Sequence, residues 1–467
     1  MSNLNTSVDG RWSSHFAYIL AATGAAVGLG NIWKFPYIMG ENGGGAFVIV
    51  YLLCILFIGI PVMMAEVMIG KRGRSTPANA AAKVATESGS SKHWSFLGMS
   101  GVVAGFLILS FYVVIAGWAV AYVVHAGSGD FSAIAAAASD SGDHAGKIGE
   151  IFSGLLSNPA ELITYTTIMV VATVLVLGKG LNKGLEKAVT SLMPALFILL
   201  AIIMVYSAIE GHFGEAAAFM FAPDFSKLTV HSVLEALGHA FFTLSLSSGI
   251  MMIYGAYLPE GVSIAKTSIW IAICDTVVAL MAGLAIYPIV FANGMEPAAG
   301  PGLLFQTLPI AFGKMPMGDL FGTVFFVMIV FAAFTSAIAL LESATAYLVE
   351  RRGLARWPAA IVAGSGIWVL SLGTVFSFTG AEWTKMSFFG NGGNFFEVID
   401  FITANIMLPL AGLFTAIFVG WKVKKAHVEK EMQLTGAAMG ALMLCLKFIA
   451  PIAITIVFAQ LVGIISL

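Results

Sequence analysis

The chain has 467 residues, of which 59% are apolar and 10% charged, against roughly 45–50% and about 25% in an average soluble domain. A composition this apolar belongs in a bilayer and leaves no length for a sizeable soluble domain. The net charge of -2 supplies no basic field and no polybasic arm is present, so nucleic-acid partners are excluded.

At about 20 apolar residues per span, eleven hydrophobic segments follow in chain order, near residues 14–38, 45–70, 96–125, 161–178, 189–208, 233–257, 264–294, 319–349, 356–377, 395–421 and 436–466. The expected fold is an all-α polytopic membrane protein of about 11 transmembrane helices. Residues 1–10 are polar and run into the first segment without a cleavage site, so no removed leader is expected. The connection over residues 127–159 reads as an outer loop rich in Ala, Gly, Ser and Asp. Residues 297–316 read as a short re-entrant outer helix opened by Pro297 and the Gly-Pro-Gly of 300–302. Cys54, Cys274 and Cys445 lie inside apolar runs and support neither a disulfide framework nor a zinc site.

Seventeen Lys and Arg, from Arg11 to Lys430, fall in one set of alternate connections, and four, Lys147, Lys227, Lys314 and Lys385, in the other. That asymmetry puts the N-terminus in the cytoplasm and the C-terminus outside. The connection over residues 127–159 carries neither a cysteine pair nor an Asn-x-Ser/Thr acceptor, which favours a bacterial inner membrane.

The first and sixth segments are interrupted where a lipid-facing helix would carry aliphatic side chains. The first holds Gly24, Gly28, Gly30 and Asn31, then Lys34 and Pro36; the sixth holds Thr243, Ser245, Ser247, Ser248 and Gly249. Irregular backbone at membrane depth is tolerated only where protein or a wet cavity meets its freed N–H and C=O groups. Close helix packing through small residues would account for Gly24 and Gly28 alone, but not for the Asn, Lys and Pro that follow. Five spans separate the two breaks, and an odd repeat inverts the second half. Paired interrupted helices in inverted halves point to a midplane site in a secondary transporter. The whole of 1–467 therefore reads as one transmembrane transporter domain, a 5+5 inverted repeat with halves of about 11–208 and 233–421 and an extra C-terminal helix near 436–466.

The run from Gly28 to Tyr37, the Glu41-Asn42-Gly43-Gly44-Gly45-Ala46-Phe47 stretch, Gly59-Ile60-Pro61 with Glu66, and the blocks at Phe111-Tyr112, Phe241 to Ser245 and Phe331 to Ser336 carry a resemblance. Over about residues 11–421 the chain resembles the neurotransmitter:sodium symporter family, bacterial amino-acid transporter branch, with the leucine-transporter fold. The resemblance implies a substrate site in which the ammonium meets carbonyls near Ala26, Phe242, Thr243 and Ser245. The carboxylate would take the Leu29 and Gly30 N–H groups and the Tyr112 hydroxyl, beside Gly28. Ala25, Ile108, Phe242, Ser247, Ser248, Ser336, Ala339 and Leu340 would line the side-chain pocket. No charge stands among them, so a neutral, hydrophobic or aromatic amino acid is expected.

It also implies two Na+ sites. One would use Ala26, Asn31, Thr243, Asp275 and the substrate carboxylate. The other would use Gly24, Val27, Ala332, Thr335 and Ser336, the last three on one helical face. The competing reading of Thr335 and Ser336 is hydroxyls bonded back to their own helix. Phe242, Lys34 and Asp400 would form an outer gate, the last two as an ion pair.

Several positions depart from the family pattern. Asp275 stands where Asn is usual, beside Tyr51, His239, Thr243 and Ala279 at the family's chloride position; its fixed negative charge predicts transport without chloride. His239 replaces Gln and, paired with Asp275, would permit H+ counter-transport. Asp9 replaces an Arg before Trp12, which shifts the inner gate to Arg11 with Glu350 near Tyr257. Glu66 reads as a structural acid bonded to a broken helix, and Lys447 has no evident partner. The resulting function is sodium-coupled symport of an amino acid across the lipid bilayer, with an amino-acid-binding transceptor that does not transport as the alternative. Enzyme motifs such as His-Glu-x-x-His and Gly-x-Ser-x-Gly are absent.

Overall fold

A computed structural model describes residues 10–141, 144–295, 303–388 and 391–465. In chain order the helices are α1 (His15–Ala26), α2 (Gly30–Glu41), α3 (Gly45–Gly73), α4 (Pro77–Glu87), α5 (Lys92–Ser128), α6 (Asp130–Ser141), α7 (His144–Ser157), α8 (Pro159–Gly178), α9 (Leu181–Glu210) and α10 (Phe213–Phe221). There follow α11 (Val230–Thr243), α12 (Ile250–Ala256), α13 (Ile264–Ala292), α14 (Thr307–Lys314), α15 (Gly318–Arg352) and α16 (Arg356–Phe378). After a small hairpin, β1 (Lys385–Phe388) against β2 (Asn391–Asn394) with Lys385 opposite Asn394, come α17 (Phe395–Lys422), α18 (Lys425–Met432) and α19 (Gly436–Leu461).

Among the described residues nine helices are long and apolar enough to cross a bilayer, and α1 with α2, bent by 51°, makes a tenth crossing. The sixth expected span is split into α11 and α12 around residues 244–249. The protein is thus an all-α polytopic membrane protein with interruptions in its first and sixth spans.

Burial sorts the spans into layers. In α5 and α15, 78% and 72% of the most apolar window is buried, against 33% and 28% in α8 and α9, so the first pair forms the centre and the second the lipid-facing rim. α9 shows how a span serves both environments. Val189, Met193, Leu196, Leu200 and Ile203 recur at helical spacing on its buried face, while Ile198, Ile202, Val205 and Ile209 face outward. A helix apolar all round is what a bilayer requires.

Residues 127–159 depart from the expected outer loop, because most of them form α6 and α7. Phe131 and Leu155 are buried, and Phe131 sits among the rings of Tyr122 and Phe326; an Ala-rich stretch with such anchors gains more by folding as helices packed on the spans. Of the expected re-entrant segment, Thr307–Lys314 is helical, while Pro297 and the 300–302 turn lie outside the described residues. The short helix α4 was not expected either. It buries Ala78, Ala80, Ala81, Val84 and Ala85 on one face.

A buried ion pair ties the rim to the centre. Glu342 of α15 is fully buried and accepts from both guanidinium Nη atoms of Arg356, Nη1 at 3.1 Å, and from the Tyr257 hydroxyl at 2.6 Å. Arg356 Nε donates to the Leu177 carbonyl at 3.0 Å, so one bidentate pair joins α8, α15, α16 and the end of α12. Removing one partner strands the other charge. Glu342→Gln is expected to lower stability by about 3 kcal/mol, read as a fall in the thermal midpoint of the purified protein; replacing both Glu342 and Arg356 with Met should recover much of that loss.

Candidate functional site

The first break begins where Val27 leaves the helix with ψ 110°. Its N–H still bonds to the Thr23 carbonyl at 2.6 Å, but the next two amides find side chains. Gly28 N donates to Asn31 Oδ1 at 3.0 Å, and Leu29 N donates to the Tyr112 hydroxyl at 3.3 Å. The freed carbonyls are met by hydroxyls from other spans. Ser245 Oγ donates to Ala25 O at 2.7 Å, and Ser336 Oγ lies 3.4 Å from Gly24 O, 3.4 Å from Ala25 O and 3.3 Å from Val27 O. Gly28 is required by this crowding. A Cβ there would stand 2.6 Å from Ser336 Oγ and 2.8 Å from the Tyr112 hydroxyl.

The second break passes through left-handed backbone at Ser245 and Ser247, with φ of 51° and 65°, before Gly249 at 78°. Non-glycine residues held there cost about 1–3 kcal/mol each and persist only when their surroundings over-determine them. Glu66 of α3 supplies one such constraint by accepting the Ser247 N–H at 2.8 Å, the role expected for it. Ser248 Oγ donates to the Ser245 carbonyl at 2.7 Å.

Between the breaks lies Asp275 of α13, fully buried with Asn31 and Thr243. Asn31 Nδ2 donates to Asp275 Oδ1 at 2.7 Å and is 3.1 Å from the Asp275 carbonyl and 3.0 Å from Thr243 Oγ1. Thr243 Oγ1 in turn lies 3.0 and 3.2 Å from the two carboxylate oxygens. Three members of the first expected ion set are thereby gathered: one carboxylate among neutral oxygens. A single carboxylate among neutral oxygen donors is a set that suits a monovalent ion.

In the second expected ion set, Ser336 reaches across to the first break as described. Thr335 does not. Its hydroxyl bonds back to Phe331 O at 3.2 Å and Ala332 O at 3.0 Å, the competing reading, although Gly24 lies close enough that a Cβ there would meet Thr335 Cβ at 3.4 Å.

A cavity of about 40 Å³ opens between the breaks. Of the expected substrate residues, Ala25, Ala26, Gly28, Leu29, Gly30, Ile108, Tyr112, Phe242, Ser245, Ser248, Ser336 and Leu340 line it. Thr243 lies outside the lining, in the Asp275 cluster. Ser247 and Ala339 are also outside it. The Ser247 amide is committed to Glu66, and its hydroxyl faces α17, where a Cβ on Gly412 would meet it at 3.0 Å. Phe241, Leu246 and Leu408 complete the lining. The doubled aromatic Phe241-Phe242 at a helix end is a signal that both rings face the break; Leu408 in an apolar run carries no such signal.

Phe242 also lines a wider cavity of about 340 Å³ with Lys34, His239, Leu408 and residues of α19, and Phe241, Phe242 and Leu408 border both spaces. Lys34 Nζ lies 4.8 Å from the centre of that ring, and among the described residues no ion pair joins it to Asp400. The expected Lys34–Asp400 pair is replaced here by a cation–π contact, which a point-charge ammonium on a flexible stem makes readily. On the opposite side Arg11 meets Glu260 at 3.4 Å with both side chains exposed. Glu350 is held instead by Ser75 Oγ, by Thr76 N at 2.7 Å and by Asn79 Nδ2 at 2.6 Å. Trp12 is buried, its indole donating to Tyr254 O at 3.2 Å, which points Arg11 away from Glu350.

The pairing of His239 with Asp275 is also absent. Both His239 ring nitrogens lack a hydrogen-bond partner among the described residues, and the ring packs 5.7 Å from Phe35 and 5.4 Å from Tyr51. The Asp275 oxygens have turned to Asn31 and Thr243.

Comparison with known proteins agrees with this architecture. The sequence matches the sodium:neurotransmitter symporter family over residues 9–132 and 147–466. An uncharacterized sodium-dependent transporter of Bacillus subtilis, YhdH, is 35% identical over 98% of both chains, and one of Haemophilus influenzae is 34% identical over 96% of this chain and 97% of its own. The solved structure of MhsT in complex with L-phenylalanine superposes with a TM-score of 0.86 at 39% identity, covering 97% of this chain and 99% of that one. These relatives are transporters and not enzymes. The chain belongs to the sodium:neurotransmitter symporter family and is a multi-pass, sodium-dependent transporter with the leucine-transporter fold.

Proposed function

We propose that this protein carries a neutral amino acid with a hydrophobic or aromatic side chain into a bacterial cell together with two Na+ ions, without chloride, by alternating access. Its N-terminus is cytoplasmic, its C-terminus outside, and its membrane the inner one. The observation that carries this reading is the buried Asp275 carboxylate, hydrogen-bonded to the neutral donors Asn31 and Thr243 between two helix breaks. A buried carboxylate costs several kcal/mol unless a cation or proton accompanies it. Sodium meets that need on the inward leg, and the substrate carboxylate, joining Ala26, Asn31, Thr243 and Asp275, couples solute to ion. The second ion takes the Gly24 and Val27 carbonyls with Ala332, Thr335 and Ser336, once Thr335 turns from its own helix.

The fixed charge of Asp275 does the work that a bound anion would otherwise do, which is why chloride is dispensable. When sodium leaves, a proton on Asp275 keeps the vacated site neutral, so the return leg moves H+ outward. His239 has no part in this, being stacked away from the carboxylate. The pocket walls are uncharged, and the solved neighbour is held with L-phenylalanine; both support an apolar or aromatic substrate. Two Na+ entering across 100 mV contribute about 4.6 kcal/mol and the proton carried outward costs about 2.3 kcal/mol, which leaves enough for a solute gradient of about 1.7 decades before any ion-concentration term.

In proteoliposomes an inward Na+ gradient should drive accumulation of labelled L-phenylalanine, and K+ in its place should not. Binding without accumulation would identify a transceptor. Asp275→Ala should weaken the apparent affinity for Na+ at least about tenfold, the loss of one charged ligand at about 1.5–3 kcal/mol.

Replacing all chloride with gluconate should leave wild-type uptake unchanged. A fall in that buffer would refute the role given to Asp275.

Gly28→Ala should weaken amino-acid binding about fivefold or more, because overpacking costs about 1–3 kcal/mol and the added methyl displaces both the Tyr112 and Ser336 hydroxyls. Equilibrium binding at saturating Na+ measures it.

A further inference from the structure

Lys447 is a charge in the middle of a membrane-spanning helix that the transport site does not use. It lies about 16 Å along α19 from Gly436. Its ammonium stands 5.0 Å from the centre of the Trp421 ring, and the Trp421 indole donates to the Lys447 carbonyl at 3.3 Å, so α17 and α19 brace the side chain between them. A cation–π contact offsets only part of the cost of a lysine within a span, and an anion within reach of the ammonium would offset more of it.

The structure offers a place for one. Helical side chains lean toward the N-terminus of their helix, and on that side Lys447 borders a cavity of about 510 Å³ shared with Trp421, Lys425, Glu429, Gly436 and Gly440. Nothing stands within 4 Å of where a Cβ on either glycine would be, so one wall is bare backbone. Glu429 is paired with Lys425 at 3.4 Å, which leaves the lining with a positive balance. Lys422, Lys424 and Lys430 flank it in sequence. From Gly440 a stripe of outward side chains, Leu444, Phe448, Ile452 and Ile456, runs up α19 at four-residue spacing.

We propose that this cavity holds the phosphate of an anionic phospholipid, met by Lys447 and Lys425, with its acyl chains lying along the Leu444–Ile456 stripe. A charged pocket at the membrane interface continuous with an apolar track fits a molecule that has both parts. Free phosphate shares the head-group chemistry but leaves the stripe unused.

The full-length protein, equilibrated with vesicles of equal phosphatidylglycerol and phosphatidylcholine and extracted in mild detergent, should retain phosphatidylglycerol preferentially by native mass spectrometry. Lys447→Met should retain about fivefold less, the equivalent of about 1 kcal/mol per lysine. Lys447→Arg should keep most of it, and Lys83→Gln, on α4, should behave as wild type. If Lys447→Met fails to fold, Lys425→Gln on the cavity rim reads the same loss. Retention by the substituted protein equal to wild type, or equal retention of the two lipids, overturns the proposal. So does a thermal shift with inorganic phosphate, absent with chloride and abolished by Lys447→Met, which would assign the cavity to a soluble anion.

Discussion

Peptide groups released from a helix inside a bilayer have no water to turn to, and each one left unmet costs several kcal/mol. That constraint organises this molecule. At the first break the Gly28 and Leu29 amides are taken by Asn31 and Tyr112, and the carbonyls of Gly24, Ala25 and Val27 by Ser245 and Ser336. At the second, the Ser247 amide is taken by Glu66. Most of these partners come from a different span, so satisfying two short stretches of backbone aligns α1, α3, α5, α11 and α15 about one point. The same groups are those an ion and a zwitterion could engage in exchange, so the proposed binding site and the structural solution are one set of atoms.

Three buried acids show how environment separates structure from chemistry. Glu342 has its own counter-charge, a bidentate arginine reinforced by the Tyr257 hydroxyl, and nothing is left over for a ligand. Glu66 faces a backbone amide and serves as a brace. Asp275 bonds to the Asn31 amide and the Thr243 hydroxyl, and both can also present oxygen to a cation. Of the three, it alone bonds to side chains from both interrupted spans.

The contacts above and below the site are of a softer kind. Lys34 rests on the Phe242 ring and Arg11 pairs with Glu260 at the surface, both worth little individually. Glu350 is held by the start of α4 through Ser75, Thr76 and Asn79. Weak closures around a rigidly satisfied centre suit a protein that must open to either side, since a strong ion pair at either mouth would have to be broken in each cycle.

The sequence alone determined the membrane class, the spans and the location of the two breaks, because glycines and hydroxyls in an otherwise aliphatic run are a local signal that needs no knowledge of neighbours. It also singled out Asp275, whose cost in an apolar span is readable one residue at a time, while Asn31, Tyr112 and Ser336 were placed at the site by the family resemblance. Tertiary structure decided everything that depends on direction. Ser247 sits in the second break yet faces α17, since its left-handed φ turns it there; Thr335 bonds to its own helix; Lys34 chooses a ring over Asp400, and Arg11 chooses Glu260 over Glu350. The Glu342–Arg356 pair, the Leu408 wall of the pocket and the helices within residues 127–159 were invisible beforehand for the same reason: which charge meets which, and which apolar side chain faces inward, is set by contacts between segments far apart in the chain, where spacing along the sequence carries no information.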